Sequence, residues 1–297
     1  MNNLETTFES ILNDISNRQY SGIKKETINP NKDDLFSYKN QSQQNEMNEI
    51  YCIYKKNRKT INLMYDYKND NLYYRSDFTE RQKTFEETKK LINANNIELY
   101  VNQRKIKFNF IYESDEKGDI KIKFKFKPLL TSTSQMFYKC YYLKSIDLSS
   151  FNFSKVNDMS LMFYDCSSLE SFNLISKDIR KIEYLNEMFD NCKELKTVNF
   201  KTSSLYNLIY LDSMFYNCSS LESLDLSSFE TNSISSMSHM FYNCSSLKEL
   251  DLSSIDTINV NSIEHIFHNF TSLKKENVKL NKKGKRIKAK LDSYSIY

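Results

Sequence analysis

The sequence predicts an α/β solenoid in which each 26-residue repeat supplies one strand and one short helix, closed at its N-terminal end by a small α+β domain. Three observations predict it. Five of the six cysteines, Cys140, Cys166, Cys192, Cys218 and Cys244, fall 26 residues apart. The series Phe137, Phe163, Phe189, Phe215, Phe241, Phe267 keeps the same step, and so does Leu143, Leu169, Leu195, Leu221, Leu247, Leu273. Between them, segments such as Leu221–Ser227 alternate apolar and polar residues, as a strand with one buried face does. Periods of this length mean stacked units, each burying its apolar side only against a neighbour.

Within a repeat the strand comes first. Leu224 and Leu226 are expected inward, and Ser223, Asp225 and Ser227 outward. Downstream, Ile234, Met237, Met240 and Phe241 have the spacing of a helical turn or two, with Ser235 and Ser236 placed to cap it. The cysteines, in phase with Phe and Leu, read as small buried hydrophobes carrying free thiols.

The carrying motif is MFYNCSSLESLDLSSF from Met214, repeated from Met240 as MFYNCSSLKELDLSSI. These segments resemble the BspA-like leucine-rich repeats, a family of the mycoplasma-lipoprotein type that also occurs in other bacterial surface proteins. The resemblance covers about residues 130–280 and implies a leucine-rich-repeat solenoid. Where common leucine-rich repeats place asparagine, this chain has Phe151, Lys177, Ser203, Phe229 and Ile255. The usual asparagine ladder is therefore expected to be missing.

Outside the repeats, residues 1–45 read as a flexible polar arm with one short helix at Leu4–Ile15. Residues 46–119 read as a separate α+β domain of β-grasp-like order. A first hairpin joins Glu49–Tyr54 to Thr60–Tyr67. A helix follows, with Phe78, Phe85, Leu91 and Ile92 on its apolar side. A second hairpin joins Ile97–Val101 to Lys105–Tyr112. The solenoid is expected over 120–280. Its first rung is Asp119–Lys127, because Ile120 and Ile122 lie one period before Ile146 and Leu148. Residues 281–297 read as a basic tail.

Composition removes several functions. The chain has three glycines, so no clustered-glycine phosphate loop exists. The net charge of +4 over 297 residues is no strong nucleic-acid signal. No apolar stretch is long enough to span a bilayer. The opening Met1–Glu9 carries acids and no apolar run, which points to a cytoplasmic protein, with the cell surface by an unconventional route as the alternative. No catalytic motif, cofactor site or zinc-type cysteine spacing is present. His239, His265 and His268 could share a patch, but nothing obvious completes a metal site.

The expected function is a non-enzymatic, monomeric module that binds a protein partner. Its candidate contacts are the outward strand residues Ser145, Asp147, Asn173, Asn199, Ser223, Asp225, Glu249 and Asp251, together with the tyrosines Tyr164, Tyr216 and Tyr242. The resemblance suggests a cell-surface adhesin as an alternative. A third class is a polyanion binder acting through the basic tail.

Overall fold

The computed structural model of the chain describes residues 48–55, 58–67, 79–115, 118–176, 179–202, 205–229, 233–280 and 285–293. The arm with its helix at Leu4–Ile15, Phe78, Tyr294 and Tyr297 lie outside them. Residues Gln44–Tyr297 make one compact unit.

The N-terminal part of this unit is a sheet that the repeats continue. Strand β1 (Glu49–Tyr54) buries Ile50, Cys52 and Tyr54. Strand β2 (Thr60–Asn62) is followed by helix α1 (Thr79–Leu91), which buries Phe85, with Ile92 buried just beyond its end. Strands β3 (Ile97–Val101) and β4 (Arg104–Ile106) form a hairpin. Its two-residue turn, Asn102–Gln103, has φ of 45° and 70°, the primed turn that suits strand twist. Strand β5 (Ile111–Glu113) pairs with β2, and β6 (Ile120–Phe126) alternates buried Ile and Phe with lysines.

The expected first hairpin does not form. β1 instead lies antiparallel between β6 and β7 (Leu143–Asp147), giving the sheet order β4-β3-β6-β1-β7. The expected direct pairing of Ile120 with Ile146 and of Ile122 with Leu148 is therefore absent: β1 lies between the two strands, and its Cys52 pairs with Ile122 on one side and Ile146 on the other. The physical reason is pairing on both edges: between β6 and β7 the backbone groups of β1 find partners on each side, while Ile50, Cys52 and Tyr54 are buried on the core face. The expected boundary at 119/120 consequently cuts through one continuous sheet.

Beyond β7 come β8 (Ser171–Leu174), β9 (Thr197–Phe200) and β10 (Ser223–Asp225), parallel and one repeat apart. β11 (Leu250–Leu252) pairs in parallel with β12 (Val278–Leu280). The last described element is helix α2 (Lys285–Ser293), which lies within the expected basic tail. Its Ile287 and Leu291, one helical turn apart, are buried.

The segment expected to be a short helix in each repeat is a run of turns, and its backbone explains why. Two residues per repeat, four apart, have φ between 52° and 61°: Gln135 and Lys139, Leu161 and Asp165, Glu187 and Asn191, Ser213 and Asn217, His239 and Asn243, His265 and Asn269. A right-handed helix cannot contain such a pair, and each left-handed non-glycine residue costs about 1–2 kcal/mol. The N–H groups alternate in direction. Leu185, Glu187, Phe189 and Asn191 donate to the carbonyls of Tyr210, Asp212, Met214 and Tyr216 in the next repeat, at 2.8–3.1 Å. Met188, Asp190 and Cys192, lying between, donate back three residues at 3.0–3.3 Å. Parallel bridges link Ser132, Asp158, Tyr184, Tyr210, Ser236 and Ser262 in the same order.

This register stacks like on like. Phe137, Phe163, Phe189, Phe215 and Phe241 form a buried column with centroids 5.6–5.8 Å apart and planes within 10° of parallel. Phe124 of β6 extends it at 6.1 Å from Phe137. The repeat cysteines are free and fully buried, and the thiols of Cys166, Cys192, Cys218 and Cys244 donate to the carbonyls of Phe137, Phe163, Phe189 and Phe215 in the preceding repeat at 3.0–3.1 Å.

Phe215 has a ring above and a ring below, so its site cannot collapse. Phe215→Ala is expected to cost about 3–5 kcal/mol in urea denaturation; a loss under about 1 kcal/mol would show that the column is not core. A fragment starting at Pro128 lacks β1 and β6, leaving the β7 edge open. It is expected to melt below the full chain and to aggregate, whereas removal of residues 1–45 is expected to leave Tm unchanged. A soluble 128–297 fragment with the full-length Tm would contradict this.

Candidate functional site

Two faces collect the candidate residues. On the strand face, β9 pairs Asn199 with Asn173 of β8 and with Asp225 of β10, and Asn199 Nδ2 donates to Asn173 Oδ1 at 2.7 Å. Asp147 and Asp251 hold the same place in their repeats. Asp251 pairs with Lys279 of β12, and their side chains approach to 3.5 Å. Asp147, Asp225 and Asp251 each accept a hydrogen bond from the backbone N–H two residues on, at 2.8–3.0 Å, so they also hold the turns that end their strands. Ser223, Glu249 and Asp251 are exposed, while Ser145, Asp147, Asn173, Asn199 and Asp225 are half-buried. Ser171, which holds the place of Ser145 and Ser223 in its own repeat, is buried.

Sequence reasoning missed how far this row extends. Asp147 pairs with Tyr51 of β1, Tyr51 with Lys123 of β6, Lys123 with Tyr100 of β3, and Tyr100 with Lys105 of β4. The Lys123 ammonium lies 4.4 Å from the Tyr100 ring centre and 3.6 Å from a Glu49 oxygen. Burial, and the hydrogen bond that its hydroxyl donates to Glu49, push the Tyr51 phenol far up. The strip therefore runs from aromatic and basic side chains at the N-terminal end to carboxylates near the other. The alternation of Lys with Ile and Phe in β6 signals the outward lysines, but not which strands flank them.

On the turn face the tyrosines stack upon one another. Tyr138 lies 4.9 Å from Tyr164, Tyr216 lies 4.5 Å from Tyr242, and Tyr242 lies 4.8 Å from His268, all near parallel. Asp190 holds the place between Tyr164 and Tyr216. Beside this column runs an asparagine ladder: Asn217 Nδ2 donates to Asn191 Oδ1 at 3.0 Å, and Asn243 Nδ2 to Asn217 Oδ1 at 2.9 Å. A ladder thus exists over three repeats, displaced to the left-handed position before Cys192, Cys218 and Cys244, which asparagine tolerates better than most residues; Lys139 and Asp165 hold that position before Cys140 and Cys166. Its sequence signal was the Asn of MFYNC.

His239 and His265 stand 5.1 Å apart and His265 and His268 5.5 Å, so the three do form one patch. Burial holds His239 below the ordinary range, and the neighbouring His265 adds to this. Among the described residues no group of three or more His, Cys, Asp or Glu side chains is arranged to hold a metal ion. Nor is any helix there long and apolar enough to cross a membrane.

The repeats can now be set against known families. The family model described as "Mycoplasma protein of unknown function, DUF285" matches residues 111–208 and again 185–289. The chain belongs to this family. The DUF285 matches begin at β5 and end within α2, so they take in β6 as well as the repeats. No curated protein and no solved structure matches the chain.

Asp190 is the titrating group to test. Burial, with Glu187 and Asp165 nearby, raises its carboxyl to about 8. The folded state then keeps a proton that the unfolded chain, near 4, has already lost. Stability from this group is full at low pH and falls as pH rises through that window. Asp190→Asn is expected to melt above the wild type at pH 9, with a difference that shrinks toward pH 5; a pH-independent difference would contradict the raised value.

Proposed function

We propose that the chain is a BspA-like leucine-rich-repeat solenoid, sealed at its N-terminal end by the β4-β3-β6-β1 sheet, and that it serves as a non-enzymatic protein–protein interaction module. The observation that carries this reading is the strand-face strip. One row of outward polar side chains crosses the N-terminal sheet and continues at repeat spacing through Asp147, Asn173, Asn199, Asp225 and Asp251 to Lys279. Such a strip suits an extended partner that makes similar contacts at successive rungs. Its charge polarity gives that partner a direction along the sheet. The stacked tyrosines offer a second, stiffer face, since aromatic contact area costs little side-chain entropy.

Proximity labelling in the native cell tests it, with the wild-type chain and two folded double variants. Asp225→Lys with Asp251→Lys alters the strip, and Tyr216→Ser with Tyr242→Ser alters the turn face. At least one protein labelled by the wild type is expected to disappear with one variant and persist with the other. An identical set of labelled proteins for all three would overturn the reading.

A further inference from the structure

The aromatic column of the turn face has one gap. Its positions are Tyr138, Tyr164, Asp190, Tyr216, Tyr242 and His268, and Tyr138–Tyr164, Tyr216–Tyr242 and Tyr242–His268 stack in near-parallel pairs. Ring-to-ring steps between repeats run from 4.5 to 5.8 Å, so two steps set Tyr164 and Tyr216 roughly 9–11.5 Å apart. Two ring faces at that distance leave room for one planar group between them, stacked on both sides. Asp190 takes the place of a ring there and reaches less far from the backbone than a tyrosine does.

The charge at that position is uncompensated. Asp190 is 7% exposed, and its Oδ1 accepts a hydrogen bond from Asn191 Nδ2 at 2.7 Å. Among the described residues no cation pairs with it. The charged groups that act on it are Glu187 and Asp165, both acidic, whereas Lys139 and Lys193 act on Asp165. Burial raises the phenols of Tyr164 and Tyr216, and the Asp190 carboxyl between them in the column adds to both. A buried carboxyl among like charges, without a counter-ion, is unfavourable in the chain alone, and an incoming cation relieves it.

We infer that the slot between Tyr164 and Tyr216, floored by Asp190, binds an arginine side chain of a partner protein. A guanidinium is planar, stacks on aromatic faces and presents a fork of donors to a carboxylate, whereas a lysine ammonium offers no plane to fill the slot. Binding requires Asp190 ionised. Since burial raises its carboxyl to about 8, each arginine bound displaces a proton, and affinity climbs by up to about tenfold per pH unit until that value. This site rests on the interaction-module reading and supplies it with a recognition chemistry.

N-acetyl-arginine amide, titrated into the full-length protein and followed by the Tyr164 and Tyr216 ring signals in NMR, is the probe. Saturable binding is expected at pH 8, at least tenfold weaker at pH 6, with the neutral isostere N-acetyl-citrulline amide failing to bind. Asp190→Asn, and Asp190→Tyr, which completes the column, are each expected to abolish it. No saturable shift at these rings, equal binding of citrulline, or equal affinity at the two pH values would overturn the site on the wild-type protein alone, whether or not the variants fold. Arginine binding that survives Asp190→Asn would also overturn it. Since the probe replaces the partner, failure here removes this slot and leaves the labelling outcome for the two faces unaffected.

Discussion

Everything in the repeats depends on the alternation of backbone N–H groups in the turn segment. Every second donor crosses to the next repeat, and those between close turns within their own. That arrangement satisfies backbone that would otherwise be buried without partners. The left-handed residues are themselves crossing donors, as Glu187 and Asn191 show by donating to Asp212 and Tyr216 of the next repeat. Each crossing bond contributes about 0.5–1.5 kcal/mol net, and two of the four crossing donors in the repeat, Glu187 and Asn191, carry left-handed strain of about 1–2 kcal/mol each. The crossing bonds thus offset the strain, and the buried phenylalanine, leucine and cysteine columns add to stability.

The two ends of the stack face different problems. At the N-terminal end an antiparallel strand, β1, is laid against β7, and it carries the polar row onward while Cys52 continues the buried side. At the other end β12 adds one parallel strand, whose Val278 and Leu280 are half-buried against the core, and Ile287 and Leu291 of α2 are buried in that core. One end thus finishes in a sheet and the other in a single added strand and a helix.

The repeats were legible because each column is a statement about spacing: Phe and Leu recur through six periods, and Met and Cys through five before Ile266 and Phe270 take their places. The turn was misread for a reason visible in Ile234, Met237 and Met240. Steps of three satisfy a helix and also a run of tight turns, and only the left-handed residues distinguish them. Those positions hold Gln, Leu, Glu, Ser and His as well as Asn, so no glycine marks them. The asparagine ladder was overlooked because it was sought at the position used by other repeats. The place of β1 was illegible for another reason: an amphipathic strand shows which face is buried, but says nothing about which edges it will pair. The strip through Tyr51, Lys123 and Tyr100 was hidden with it.

The columns also make length change quantised. An insertion or deletion of one whole 26-residue unit leaves every phenylalanine above a phenylalanine and every crossing hydrogen bond with a partner. A change of any other size within the turn segment shifts every later column out of alignment. A gene encoding such a chain can therefore lengthen by copying its own middle, gaining reach for its outer faces while both ends stay as they are. Copy number, more than point substitution, is the variable this architecture leaves open.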